Sequence, residues 1–191
     1  MTSKLDTKRL LDDAYRQYRK GRHEESVSIY SELAKKGNAD AQRFLGWHYL
    51  RGFGVTKDQK EARFWLQKAA DQNEPMAEWF LGRVCFLEND YKGAKGWFER
   101  AAAKGFEPGI HWLGRLYRYG LGVPRDKKKA LELFKDAADK GNLRARMEYC
   151  VCLILGYENL SGIPKGICLW IKTVPEVCKI IFNDPEDWRV I

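Results

Sequence analysis

The sequence of residues 109–141 is GIHWLGRLYRYGLGVPRDKKKALELFKDAADKG, and its small residues decide the fold. The stretch predicts two helices joined by a glycine-containing loop. Its first half contains the pair Leu113-Gly114. Its second half ends in Ala137-Ala138 with Gly141 three residues further on, which is typical of a helix C-terminus followed by a residue of positive φ.

This pattern recurs along the chain. The last alanine of the second helix is Ala34, Ala70, Ala102 or Ala138, at intervals of 36, 32 and 36 residues. The Leu-Gly pair recurs at 45–46, 81–82 and 113–114. Because a glycine inside a helix costs about 1 kcal/mol relative to alanine, its recurrence predicts positions where two helices touch. Substitution of the loop glycine Gly54 by alanine is expected to cost less than substitution of the helical glycines Gly82 or Gly114 by leucine, unless Gly54 needs a positive φ.

These residues resemble the Sel1-like repeat family, whose pattern is A-x3-LG-x2-Y-x2-G-x-GV followed by A-x2-W-x3-AA-x2-G. The resemblance implies an all-α fold, a right-handed α-solenoid of antiparallel helix pairs similar to tetratricopeptide repeats. We predict that residues 1–162 form this solenoid. Its units are expected near residues 7–37, 38–73, 74–105, 106–141, and 142–162 and on.

Residues 163–191 depart from the repeat and are rich in Ile, Val and Trp. We expect them to form a divergent apolar cap over the open end of the array, because terminal repeats are atypical. A partner or homodimer surface is one alternative, and a membrane-binding amphipathic segment is another. Pro175 is expected to break any single long helix in this segment.

Composition argues against catalysis and metal binding. The three histidines, His23, His48 and His111, lack metal-ligand spacing, and Cys150-x-Cys152 has no second pair. No acidic pair stands out as a general acid and base, so we expect no enzyme activity, no cofactor and no metal site. Five cysteines, an odd number, without an export signal indicate reduced thiols and a cytoplasmic protein. On that reading, the sequon Asn159-Leu160-Ser161 is accidental.

The resemblance also implies that the first helix of each pair lines a concave groove. Stepping along those helices predicts twelve protein-binding residues: Tyr15, Arg19, Arg43, Trp47, Arg51, Trp79, Arg83, Phe86, His111, Arg115, Arg118 and Tyr119. The set is aromatic and basic and contains no carboxylate, which is typical of interface hot spots. Some of its aromatic residues, Trp47 and Trp79 especially, could instead pack between neighbouring helices.

We therefore predict a non-catalytic scaffold or adaptor that binds a protein or peptide with acidic and apolar residues. The net charge of +8 leaves nucleic-acid binding as the alternative, although no RNA-reading repeat code is present. A membrane-surface assembly factor that uses the C-terminal segment is a further alternative.

Overall fold

The computed structural model describes the backbone of residues 4–157 and 162–183, and side chains at 5–157 and 162–175. These residues form helices and no strand, so the predicted all-α helical-repeat solenoid is confirmed. The chain divides into two compact units, Met1–Leu81 and Gly82–Ile191. Helices α1 to α5 are Lys4–Arg19, His23–Lys35, Ala39–Arg51, Gln59–Asp71 and Pro75–Leu87. Helices α6 to α10 are Tyr91–Ala103, Glu107–Tyr119, Lys127–Asp139, Leu143–Ile154 and Gly162–Asn183. The boundary between the units lies within α5.

Each unit has its own apolar core between paired helices. In the first unit, α1, α2 and α3 enclose Tyr30, which is fully buried. In the second unit, α8 and α9 enclose Phe134, together with Tyr149 and Leu153. Of the repeated alanines, Ala34, Ala70 and Ala138 are buried, where a larger side chain would disturb the close packing of the helices.

Polar caps define where the helices begin. The Asn38 side-chain oxygen accepts a hydrogen bond of 2.8 Å from the Ala41 backbone N–H at the start of α3. Asn142 does the same for Ala145 at the start of α9, also at 2.8 Å. Such caps satisfy N–H groups that have no partner within the helix.

The recurring helical glycines lie where paired helices touch. A Cβ atom built on each would lie within 3 Å of the facing second helix, a distance that real Cβ contacts do not show. The nearest side-chain atoms would be Leu66 Cγ at 2.7 Å from Gly46, Phe98 Cε1 at 2.5 Å from Gly82, and Phe134 Cε1 at 2.8 Å from Gly114. The predicted close approach is confirmed.

The loop glycines are more constrained than expected. Gly54 has a φ of +68°, and a Cβ atom there would lie 2.4 Å from the His23 carbonyl carbon and oxygen. Gly122 has a φ of +66° and would meet Tyr91 Cβ at 2.8 Å. Both positions fall under the exception for a positive φ, because each needs a left-handed backbone, and each also packs against the start of a second helix.

The last helix pair also differs from expectation. Helix α10 runs through Pro175 instead of breaking there. Pro175 is exposed, and so is Ile171, whose carbonyl oxygen would otherwise accept a bond from residue 175. A proline on the water-facing side of a helix leaves that carbonyl solvated, which lowers the cost of the missing N–H. The division into a solenoid at 1–162 and a cap at 163–191 stays a prediction, and residues 184–191 lie outside the described part.

Candidate functional site

The twelve predicted binding residues are distributed over both units, and we describe each unit by itself. Tyr15, Arg19, Arg43, Trp47, Arg51 and Trp79 belong to the first unit. Arg83, Phe86, His111, Arg115, Arg118 and Tyr119 belong to the second.

Arg43 makes contacts inside the protein. Its guanidinium forms salt bridges with Asp40 at 3.3 Å and Glu74 at 3.5 Å, and its side chain is only 10% exposed. It also lies over the Phe44 ring at 4.0 Å. Burial raises the pKa of Glu74, and the Arg43 charge opposes that rise. The structure therefore gives Arg43 two carboxylates of its own chain, where the sequence suggested a partner's carboxylate.

Trp47 belongs to an aromatic cluster at the C-terminal end of α3. Its ring meets Tyr18 edge-on at 5.1 Å and Phe53 at 5.3 Å between centroids. The buried His48 Nδ1 donates to the Phe53 carbonyl oxygen at 2.8 Å. Burial lowers the pKa of His48 to about 4, so the ring is neutral near pH 7. The cluster joins the loop after α3 to the C-terminal end of α1 and the N-terminal end of α2. The exposed Arg51 lies over Phe53 at 5.6 Å, and Arg19 is also exposed.

Tyr15 borders an open depression of about 900 Å³ in the first unit. Its ring is 46% exposed, beside the half-buried Leu11 and Phe44. Lys8, Lys36, Asp12 and Asp40 lie around the depression. With charges of both signs, this surface has no preference for acidic ligands.

Two of the predicted residues lie in the core. Trp79 and His111 are each only 2% exposed to solvent. Burial lowers the pKa of His111 to about 3, and the charge of Arg115 acts in the same direction. Neither side chain offers a contact surface to a partner, so the structure removes both from the candidate surface.

Arg83, Phe86 and Arg115 meet around one ring in the second unit. That ring is Trp112, which is 7% exposed. The Arg115 guanidinium lies 4.3 Å from the Trp112 centroid, and that of Arg83 lies 5.5 Å from it. Phe86 meets Trp112 edge-on at 4.9 Å. Burial lowers the pKa of Arg115, and its buried Nε has no hydrogen-bond acceptor among the described residues.

Arg118 and Tyr119 continue this surface toward the C-terminal end of α7. Arg118 donates a charged hydrogen bond to Glu148 on α9, and its guanidinium lies 5.3 Å from the Tyr119 centroid. Tyr119 is 52% exposed. We call Arg83, Phe86, Arg115, Arg118 and Tyr119 the arginine–aromatic surface. The exposed Arg144 adds positive charge near Arg115.

A family model for the Sel1 repeat matches residues 39–74, 75–106 and 108–142, which together make up more than half of the chain. The chain belongs to the Sel1 repeat family. Sel1 repeat proteins are generally protein-interaction scaffolds.

Two curated relatives show the range of proteins that carry similar repeats. Chitin synthase regulatory factor 3 of Schizosaccharomyces pombe is 30% identical over 149 residues, which cover 74% of this chain and 16% of that protein. The ERAD-associated E3 ubiquitin-protein ligase component HRD3B of Arabidopsis thaliana is 31% identical over 119 residues, which cover 62% and 19%. The chain thus spans less than a quarter of either relative.

Two solved structures share the fold. A Sel1 repeat protein from Oxalobacter formigenes superimposes with a TM-score of 0.76 at 25% identity, over 96% of this chain and 84% of that one. The protective antigen c5321 of uropathogenic Escherichia coli superimposes with a TM-score of 0.69 at 28% identity, over 81% and 34%.

Two residues that contact the arginine–aromatic surface, Trp112 and Glu148, are absent from the predicted binding set. Trp112 precedes the Leu-Gly pair of the third matched repeat, so it was assigned to neither the motif nor the binding set. Its position three residues before Arg115, one helical turn away, was the available signal. Glu148 lies beyond the last matched repeat, and its pairing with Arg118 needs the packing of α9 on α8.

Metal-ligand groups and cysteine thiols were the other candidates for chemistry in the described part of the chain. Among the residues that the structure describes, no three His, Cys, Asp or Glu side chains are grouped to hold a metal ion. Cys85, Cys150 and Cys152 are buried free thiols, and burial raises the pKa of Cys152 to about 11. A protonated, buried thiol is a poor nucleophile. In the part of the chain that is described, every helix is too short or too polar to span a membrane.

Proposed function

We propose that this Sel1 repeat chain is a non-catalytic adaptor that binds an acidic and apolar protein segment on its arginine–aromatic surface. The family supports the general role. The names of the relatives, a regulatory factor and a ligase component, fit proteins that act by holding another protein. Free cysteine thiols fit a reducing compartment, and we propose the cytoplasm.

The single observation that supports this surface is the placement of Arg115. Its guanidinium lies beside the Trp112 ring, with Arg83 near the same ring. A half-buried, pre-oriented guanidinium loses less side-chain entropy on binding than a free one, and it can bind a carboxylate with two parallel hydrogen bonds. An exposed arginine pair would contribute only about 0–1 kcal/mol, so this preorganisation is what makes Arg115 the strongest candidate.

The apolar part of the ligand would contact Phe86 and Tyr119. Aromatic side chains bury a large area with few rotatable bonds, and they supply most of the affinity at interface hot spots. The arginines would set orientation and association rate. Glu148 already neutralises Arg118, so we assign the ligand's carboxylates first to Arg115 and Arg83.

The test compares two arginines that each lie over a tryptophan ring. Proteins captured from the native cell by the wild-type chain are identified, and the affinity of each is measured for Arg115→Ala and for Arg100→Ala. Arg100 lies 4.6 Å from the Trp97 centroid on α6, away from the proposed surface. Arg115→Ala should weaken binding by about tenfold or more, since hot-spot truncation costs about 2 kcal/mol. Arg100→Ala should bind like the wild type.

Equal affinities of the two variants for every captured protein would refute the surface. Salt distinguishes the alternative ligand class. Binding to nucleic acid would fall steeply with salt for all captured material, in proportion to the phosphates neutralised. An aromatic-anchored protein site should depend on salt much less.

A further inference from the structure

Helix α10 exposes apolar side chains on one side. Ile167 is 45% exposed, Trp170 42% and Ile171 61%. These three lie within five consecutive residues, whereas the other large exposed apolar side chains are scattered over the described chain. The half-buried Ile163 and Val174 extend the same side by one turn each way. We call these five residues the α10 stripe.

The register of the repeat shows what the stripe corresponds to. Gly166 packs on α9, where an added Cβ atom would lie 2.9 Å from the Cys150 carbonyl oxygen. The matching position on α8 is Ala130. Counting from these two residues, Ile167, Trp170 and Val174 correspond to Leu131, Phe134 and Ala138. Leu131 and Phe134 pack against α9 in the same core cluster, so Ile167 and Trp170 have a register that a following helix covers one unit earlier. Ile163 and Ile171 correspond instead to the exposed Lys127 and Lys135, so α10 is apolar at two positions where α8 is charged.

The charges of α10 leave the stripe free. At 100° per residue, the stripe spans an arc of about 100°, and Lys165 and Lys172 lie about 150–170° from its centre. Both lysines are exposed. Two identical stripes can therefore face each other without bringing like charges together, which is the self-complementarity that a two-fold interface needs.

The first helix of another copy is a poorer occupant. The exposed residues of α1 include Arg9, Asp12, Arg16 and Arg19. Head-to-tail stacking would bury these charges against an apolar stripe at a high desolvation cost. The α10 stripe of a second copy contains no charged side chain.

We propose that the α10 stripe pairs with the same stripe of a second copy and forms a two-fold dimer. Pairing would cover Ile167 and Trp170 with a helix, as α9 covers Leu131 and Phe134 one unit earlier, and it would leave the arginine–aromatic surface of each copy unused. Each copy carries a net charge of +8, so two copies repel at long range. Salt screens that repulsion and should strengthen the dimer, opposite to its effect on the binding of an acidic ligand.

The test is sedimentation equilibrium of the full chain over micromolar concentrations, at low and at high salt. The wild type should show a monomer–dimer equilibrium that shifts toward dimer as salt rises. Ile171→Glu places a carboxylate on the stripe and should weaken dimerisation by about tenfold or more. Lys172→Glu introduces the same group on the next residue, on the far side of the helix, and should leave dimerisation intact or stronger.

Both variants change exposed side chains, so circular dichroism should show unchanged helix content, and Ile167→Glu provides a second substitution on the stripe. A wild-type chain that stays monomeric at the highest concentration overturns the proposal. The proposal is also overturned if both Ile171→Glu and Ile167→Glu dimerise like the wild type. If the wild type is monomeric and sediments with phosphatidylserine vesicles, and Ile171→Glu does not sediment with them, the stripe binds a lipid surface and the dimer is overturned.

Discussion

Replacing Gly114 with alanine tests whether paired helices in the Sel1 repeat are held at glycine contact. The added Cβ atom would lie 2.8 Å from Phe134 Cε1 and 2.9 Å from Cδ1. Phe134 is fully buried, so its ring has little room to move. The matched control is Gly96→Ala on α6, where a Cβ atom would meet nothing within 4 Å.

The two substitutions share one stabilising contribution and differ in one cost. Alanine in place of glycine inside a helix gains about 1 kcal/mol. Gly96→Ala should keep that gain. Gly114→Ala adds overpacking, which typically costs about 1–3 kcal/mol, so its net effect should lie between about 0 and 2 kcal/mol of destabilisation. The two variants should therefore differ by about 1–3 kcal/mol.

Thermal unfolding followed by circular dichroism measures the difference. For a chain of this size, 1 kcal/mol corresponds to about 2–4 °C in Tm, so Gly96→Ala should melt several degrees above Gly114→Ala. Phe134→Leu removes the ring that the new methyl meets. In that background Gly114→Ala should cost less, with a coupling energy of about 0.5–3 kcal/mol. If Gly114→Ala raises Tm as much as Gly96→Ala does, the helices are not held at glycine contact.

Three further predictions follow from the described contacts. Gly54→Ala should lower Tm by several degrees, because it forces a positive φ and meets the His23 carbonyl; a Tm equal to that of the wild type would contradict this. The free energy of unfolding should fall as the pH drops from 6.5 to about 4, because His48 binds a proton in this range when the chain is unfolded but stays neutral when it is folded. This contribution is on the order of 3 kcal/mol, and His48→Gln should remove it from urea-denaturation curves. Asn142→Ala should lower the free energy of unfolding by about 1 kcal/mol in the same assay by removing the hydrogen bond from the Ala145 N–H, and an unchanged value would contradict the cap's role.

The helices could be predicted from the sequence because their signals are local. Apolar periodicity, alanine-rich helix ends and glycine or asparagine C-caps each act within one turn, and they agree in every matched repeat. The Leu-Gly register also identified the helix contacts, because a glycine in a helix is costly enough to need a reason. The expectation for Pro175 was wrong because the cost of a helical proline is lower where the freed carbonyl oxygen meets water, and the sequence does not show burial directly.

The candidate site could be predicted only in part, because the fate of a side chain depends on residues far away in sequence. The sequence predicted that Arg43 binds a partner's carboxylate, but in the folded chain it pairs with Glu74, which lies 31 positions later. Trp79 and Arg83 lie one helical turn apart on α5, yet Trp79 is buried and Arg83 is only half-buried. Helical stepping gives the direction of a side chain to within a broad arc, and that arc includes both the core and the surface.

Close contact between paired helices continues beyond the last residue that matches the repeat pattern. The last matched repeat ends at residue 142, and the next first helix has Cys150 where earlier units have glycine. The facing helix, however, has Gly166 at the contact, where an added Cβ would lie 2.9 Å from the Cys150 carbonyl oxygen and from Leu153 Cβ. The small residue has thus moved from the first helix to the second while the close approach is kept. A motif search follows residue identity on one helix and stops there. Packing requires only that one of the two facing residues be small, and so the helix pairs continue through α10 and bring its apolar stripe to the surface.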